Sequence, residues 1–431
     1  MANTSATQEV ADYLLASKRC EILGLDHLLH MGRLVAAVSD LVHALQQERG
    51  LSNLHVASRG ERAGERLARR VEETRDREQA FRERLAELDT QRLCSPGFVR
   101  LFARIAYALH GLDELRAVRR EIRGLKLSPE AIIEGYSELV RGLLAVVFEA
   151  ADAAADPDIS RVLVAMFHLM QGKELAGQER AVGAAGFARG GFDEPLSGRL
   201  QQLIDHQERC FQIFMEFADS RSLDAWRGAI SREAMTTLER FRRIAFASVQ
   251  EGQAEQSLCD DWFELTTARI NAIKEVEDRL EVALTELCAR KLEDARADLD
   301  KHRIELDTLV EQPGPGSFAI FYDPPADAPP VEETYDAGCA SPRLGRSLID
   351  LVQSQSLRLH EMGEQLREAQ AALEERKSIE KAKGLIMTHR DMTEDEAYRF
   401  MRKLAMTQNK KLVDVARATI DLADMFKGVG R

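Results

Sequence analysis

Residues 28–52 read LLHMGRLVAAVSDLVHALQQERGLS, and this stretch decides the fold class. Leu28, Met31, Leu34, Val35, Val38, Leu41, Val42 and Leu45 recur at intervals of three and four, which lines them up on one face of an α-helix. The charged step Glu48-Arg49-Gly50 follows directly. A second segment repeats the construction: apolar Val162–Met170, then Lys173-Glu174-Leu175-Ala176-Gly177-Gln178-Glu179-Arg180-Ala181. Phe98, Leu101, Ile105, Leu109 and Leu112 make a further apolar face. Ser128-Pro129-Glu130 and Asp156-Pro157 have the form of a capping residue followed by proline at the first helical position. Further helices are expected over Leu200–Asp219, Ser231–Ala254 and about Glu264–Val310. β-Branched and aromatic runs bounded by turn residues are absent. The reading is all-α: a body of about seven or eight helices, in one or two bundles, over residues 10–310.

Prolines mark the divisions. Seven of the 11 fall between Pro313 and Pro342, where helix interiors cannot accommodate them. We therefore divide the chain into residues 1–310, a Pro/Gly-rich linker at 311–342 with a short ordered piece near Phe318–Tyr322, and residues 343–431. The whole chain of 431 residues carries a formal charge of −13, which argues against nucleic acid until it is split. From Arg343 to Arg431 there are 17 Lys and Arg against 14 Asp and Glu, so an acidic body is joined to a mildly basic tail. No uncharged apolar run approaches the ~18 residues of a membrane span, and the amino terminus lacks the pattern of a signal peptide. Cys20, Cys94, Cys210, Cys259, Cys288 and Cys339 are scattered singly, without metal-site spacing, and are expected to be reduced. A cytoplasmic protein is the simple expectation.

The tail has its own organisation. Val352, Leu359, Leu366 and Leu373 recur every seven residues, with Leu348, Met362 and Ala369 at companion positions, the pattern of a short dimeric coiled coil. Thr393-Glu394-Asp395-Glu396 opens a helix to Met406, and another spans Leu412–Phe426. With the end of the coil these make a three-helix unit around Ile379, Leu385, Ile386, Met387, Ala397, Phe400, Met401, Leu404, Leu412, Val415, Ala416 and Ile420. Arg376, Lys377, Lys381, Lys383, Arg390, Arg399, Arg402, Lys403, Lys410 and Lys411 are left for a basic surface, with Tyr398 and Phe400 as candidate stacking rings.

Both halves resemble known families. Glu48-Arg49-Gly50-Leu51-Ser52 and Gly177-Gln178-Glu179-Arg180 are similar to segments of the nitrate- and nitrite-sensing (NIT) family, over roughly residues 15–290. The resemblance implies that Arg49 and Arg180 are anion ligands. A third basic ligand is expected from Leu238-Glu239-Arg240-Phe241-Arg242-Arg243, with Arg240 favoured and Arg209 the decoy. A Glu-Arg step at a helix end is ordinarily a solvated face or an intrahelical ion pair. Here Gly50 and Gly177 allow close backbone approach, which a solvated face does not need. Nitrate is planar and singly charged, and the weakly hydrated guanidinium fork matches it.

The run Ala372–Met387 (ALEERKSIEKAKGLIM), with Arg402-Lys403-Leu404-Ala405-Met406 and Leu412-Val413-Asp414-Val415-Ala416, resembles the ANTAR family of RNA-binding antiterminator domains. That resemblance implies an RNA contact surface with Ala382, Lys383 and Gly384 at its centre, Lys377 and Lys381 beside it, and Arg402 and Ala405 in a second motif. Members grip paired stem-loops as dimers, and the bound RNA competes with a terminator hairpin.

No nucleotide-binding, hydrolase or metalloprotease motif is present, so no catalytic role, cofactor or metal is expected. His27 and His30, near Cys20 and Glu21, read as ordinary histidines, and Val182–Gly191 as a Gly-rich loop near the anion site. The expected protein is a nitrate- or nitrite-responsive transcription antiterminator. It is expected to be homodimeric, to bind hairpin loops in a leader RNA, to act on the elongation machinery indirectly and to have no membrane partner. The alternatives are a two-component-type output protein with a receiver domain, which would show alternating strands and helices, and a helical adaptor.

Overall fold

The computed structural model describes residues 2–61, 63–88, 96–251 and 257–310, two short strands at 318–321 and 332–335, residues 374–387, 394–408 and 410–428, and scattered residues between 363 and 392. By contacts the chain divides into two compact units, Met1–Glu364 and Gln365–Arg431.

The first unit is built from helices α1 (Ala2–Ala57), α2 (Gly64–Ala86), α3 (Pro96–Arg123), α4 (Pro129–Ala153), α5 (Pro157–Arg189), α6 (Glu194–Phe217), α7 (Ser220–Ala229), α8 (Arg232–Glu251) and α9 (Leu258–Val310). Among the described residues, helix follows helix through Val310, with none of the β/α alternation that a receiver domain requires. The departure from helix is a two-stranded antiparallel ladder in the proline-rich segment, β1 (Phe318–Phe321) pairing with β2 (Glu332–Tyr335).

Capping chemistry sets the starts. Ser128 Oγ accepts from the Ala131 amide at the head of α4, and Asp156 accepts from Asp158 and Ile159 at the head of α5, each with proline at the first helical position. Ser231 Oγ accepts from the Ala234 amide, 3.1 Å away, at the head of α8. Asp219, expected to end one long helix, is instead the N-cap of α7, accepting from Arg221 and Ser222. An aspartate between two apolar runs reads equally as a terminal residue of one helix or the cap of the next, which is why α7 escaped the sequence reading.

The periodic face of α1 is core. Leu34, Val35, Val38, Leu41, Val42 and Leu45 are all fully buried, and α1 packs against α2, α4 and α9. Among the described residues, Leu15–Ala57 is the one stretch long and apolar enough to cross a bilayer, a feature the scan for uncharged runs passed over. More than half of its most apolar window is buried inside the protein, as suits the core helix of a bundle.

Helix α5 occupies the middle, packing on α6 and α9 along its length and on α4, α8 and α1 over shorter stretches. It is buried on most sides from Ile159 to Glu179. The Gly-rich segment expected as a loop is the continuation of this helix. A Cβ at Gly183 would fall inside the Trp262 indole, one at Gly186 inside the Phe192 ring, and one at Gly172 inside the Phe211 ring. The glycines are sockets for aromatic side chains. Phe187, Phe192, Phe241 and Trp262 then close a cluster between α5, α8 and α9, with Phe187 and Phe192 edge to face at 5.3 Å.

In the second unit a helix over residues 374–387 (α10), α11 (Glu394–Gln408) and α12 (Leu412–Gly428) share a small core of Ala382, Ile386, Ala397, Tyr398, Met401, Ala405, Leu412, Val415 and Ala416. Of the heptad positions, Val352, Leu359, Leu373, Leu348, Met362 and Ala369 lie outside the described residues; Leu366 is helical and half-buried.

Gly183→Ala is expected to cost about 1–3 kcal/mol, because the added methyl meets an indole with no room to move. Gly24→Ala, where nothing lies within 4 Å, is expected to be neutral or stabilising. Thermal unfolding of the two variants checks the contrast, and equal midpoints would contradict the socket assignment.

Candidate anion site and basic surface

The two motifs singled out in the sequence meet where α1 crosses α5. Arg49 and Glu174 form a forked ion pair, Nη1 to Oε1 at 2.6 Å and Nη2 to Oε2 at 3.2 Å, and Arg49 Nη1 also donates to Ser137 Oγ of α4 at 2.7 Å. Arg180, one turn and a half further along α5, donates to Thr267 Oγ1 of α9 at 3.0 Å and lies over the Phe263 ring, 5.0 Å from its centre. The glycines explain the approach. An ideal Cβ at Gly177 would stand 3.0 Å from Arg49 Nη2, and one at Gly50 would stand 3.5 Å from Arg180 Nη2. Each guanidinium therefore lies against the glycine of the other's motif.

The electrostatics are uneven. Arg49 is 5% exposed and answered by Glu174, which also accepts from Gln46 at 2.8 Å and Gln178 at 2.9 Å. Among the described residues no carboxylate forms an ion pair with Arg180. Burial, with the nearby Arg49 charge, pushes its guanidinium down from the ordinary arginine range to about 10, partly offset by Glu174. Arg180 is half-buried, and a partly desolvated cation whose neighbours include another cation gives a small anion much to gain.

The two motif glutamates face away from this pair. Glu48 is fully buried and forked by Arg119 of α3 at 2.7 and 2.8 Å, with Tyr136 of α4 donating at 2.6 Å. Glu179 is likewise buried, held by Arg242 at 2.7 and 3.0 Å, by Arg269 at 3.3 Å and by Gln207 at 2.7 Å. They are the anchors that fix the register of α1 and α5 against α3, α4, α8 and α9.

Arg240, expected as the third ligand, is exposed on α8 beside Phe241 and is not brought to Arg49 and Arg180. Of the closely spaced arginines on α8, it is Arg242, 4% exposed, that faces inward, and it reaches Glu179. Arg209, the decoy, is exposed. Sequence reasoning also missed Glu174, Ser137 and Thr267. Glu174 lay inside the quoted motif and could have been found by its position one helical repeat before Gln178. Ser137 and Thr267 carry no signal of their own.

A second polar core lies further toward the amino-terminal end of α1. Lys173 and Glu277 form a fully buried pair at 2.6 Å, and burial pushes the Lys173 ammonium below the ordinary lysine range. Asp40, Asp278 and Glu281 gather nearby with Lys274 Nζ among them, at 3.1, 2.7 and 3.1 Å. The ammonium already neutralises that acidic group, so it makes a poor cation site.

In the second unit the expected RNA residues separate into two sets. Ala382 is fully buried and Ala405 is 7% exposed, both in the three-helix core, so neither side chain presents a contact surface. Their smallness instead lets the helices approach. Tyr398 is core as well, and the Phe400 ring is covered by Arg390, 4.6 Å from its centre. Lys383 is 9% exposed and pairs with Glu380 at 2.9 Å; Lys377 pairs with Glu374 at 2.7 Å. Exposed are Lys381, Gly384, Arg399, Arg402, Lys403, Lys410 and Lys411. No heavy atom lies within 4 Å of a Cβ built on Gly384, so α10 is open there to a close neighbour.

Comparison with known proteins agrees with this division. Residues 40–285 match the family described as nitrate and nitrite sensing, and residues 367–420 match the ANTAR domain. The nitrate regulatory protein of Klebsiella oxytoca is 33% identical over 427 residues, covering 98% of this chain and 97% of that protein. The solved structure of the NasR transcription antiterminator is similar with a TM-score of 0.58 and 31% identity, over 97% of this chain and all of that one. The chain therefore belongs to the nitrate- and nitrite-sensing family, in the arrangement that joins the sensor to a carboxy-terminal ANTAR domain.

Proposed function

We propose that this protein is a nitrate- or nitrite-responsive transcription antiterminator, in which a small planar oxyanion binds between Arg49 and Arg180 and thereby controls RNA binding by the ANTAR domain. The observation that carries the reading is the approach of a buried guanidinium, Arg49, and a half-buried one, Arg180, across α1 and α5, with one carboxylate, Glu174, paired to Arg49 alone. A monovalent oxyanion supplies the missing charge and enough acceptors for both forks.

An anion at this position would draw Arg49 and Arg180 together and compete with Glu174 for Arg49. Since Arg49 also ties α1 to α4, and Arg180 ties α5 to α9, the competition bears on how four helices pack. Taking a two-state sensor from 1:99 to 99:1 needs about 5.5 kcal/mol of differential binding. In the ANTAR domain, Lys381, Gly384, Arg399, Arg402 and Lys403 would meet the hairpin loops of a leader RNA, by phosphate charge and close backbone approach. A homodimer, with one loop to each copy, and action on transcription elongation through the RNA alone complete the reading. The protein is placed in the cytoplasm, where that RNA is made, with no membrane partner, no cofactor besides the anion and no catalytic step.

Isothermal titration tests the sensing half. Wild-type protein is expected to bind nitrate or nitrite, Arg180→Gln to lose at least about tenfold in affinity, and exposed Arg240→Gln to behave as wild type. Arg180→Gln is the cleaner variant, because Arg49→Gln also strips Glu174 of its buried partner, at a cost of about 3–5 kcal/mol. Wild-type binding unchanged in Arg180→Gln would overturn the assignment. For the output half, gel-shift titration with a two-hairpin leader RNA is expected to show tighter binding with nitrate. Lys381→Glu with Arg402→Glu should abolish that binding while the helical circular dichroism stays intact. RNA affinity indifferent to both nitrate and the double variant would contradict the proposal.

A further inference from the structure

We infer that Glu174 sets the charge selectivity of the anion site, acting as a built-in counter-ion that admits a monoanion and rejects a dianion. The inference rests on the reading of Arg49 and Arg180 as the anion site.

Glu174 is 3% exposed and committed to the site by every contact it makes: the Arg49 fork, Gln46 from α1 and Gln178 from α5. The neighbouring carboxylates are engaged elsewhere, Glu48 by Arg119 and Tyr136, Glu179 by Arg242, Arg269 and Gln207. The formal charge at the crossing is therefore two guanidinium cations less one carboxylate, a single net positive charge.

In a site where Arg49 and Glu174 are buried and Arg180 half-buried, an uncompensated charge is costly in either sign. One negative charge brings this cluster to neutrality. Two would leave an excess negative charge beside an already buried carboxylate, so sulfate and doubly charged phosphate are excluded by charge although they also offer oxygen acceptors to arginine. Glu174 has a second effect: it occupies Arg49, and an incoming anion must displace or share it. Removing its charge should therefore help all anions, and dianions most.

The test is titration of the full chain with sodium nitrate and with sodium sulfate at constant ionic strength. Wild type is expected to bind nitrate the more tightly. Glu174→Gln, nearly isosteric, should move the nitrate-to-sulfate affinity ratio toward sulfate by at least about tenfold, as expected for one unit charge at contact distance. Thr267→Asp makes the opposite change: Thr267 is half-buried and its hydroxyl touches Arg180, so a carboxylate there should neutralise the site and weaken nitrate binding at least about tenfold. This second variant carries the test should Glu174→Gln fail to fold. Nitrate binding by wild type with an unchanged ratio in Glu174→Gln, or with full nitrate affinity in Thr267→Asp, overturns the inference while leaving the anion site standing. Failure of wild type to bind nitrate overturns both.

Discussion

Two guanidinium groups at one helix crossing, Arg49 buried and Arg180 half-buried, with one carboxylate paired to the first, set the terms for the rest of the sensor. Charges so placed are held only if surrounding helices supply partners and the backbones come close enough to exclude water. Gly50 and Gly177 permit the approach, Ser137 and Thr267 each accept one hydrogen bond from Arg49 and Arg180 respectively, and the buried pairs at Glu48 and Glu179 brace α1 and α5 from their far sides. The bundle is organised around polar contacts as much as around its apolar faces. Each of these contacts joins different helices, so a change of partner at the crossing bears on their packing.

The apolar core has the complementary task of keeping α5 fixed. Trp262, Phe192 and Phe211 sit in glycine sockets along its length, and such interlocking leaves little freedom for sliding. Rearrangement is cheaper where hydrogen bonds can be exchanged one for another, as among Arg49, Glu174, Gln46 and Gln178. The second unit repeats the economy on a smaller scale. Ala382 and Ala405 let three short helices close on one another, while Lys381, Arg399, Arg402 and Lys403 stay in solvent.

Much of this was legible in the residues. Periodicity gave the apolar face of α1, capping residues gave the starts of α4 and α5, and the resemblance to sensor segments singled out Arg49 and Arg180, which the fold brings together. What failed has local causes. Arg240 and Arg242 differ by two positions on a helix, enough to turn one to solvent and the other into the core, and composition does not record that rotation. The glycines of Val182–Gly191 looked like a loop because their benefit lies in side chains from α9 and the segment before α6. Ala382 and Ala405 were placed at the RNA surface because a motif names residues without saying which of them face inward. Glu174 stood in the open in the motif, but its role depends on Arg49 arriving from another helix 125 residues away in sequence.

The central claim is that one small anion is held by Arg49 and Arg180 together. A crystal structure of the protein grown with nitrate tests it most directly. The account predicts planar density within hydrogen-bonding distance of both guanidinium groups, with the Arg49–Glu174 fork loosened. Nitrate bound elsewhere, or that fork unaltered beside an unliganded Arg180, would contradict it.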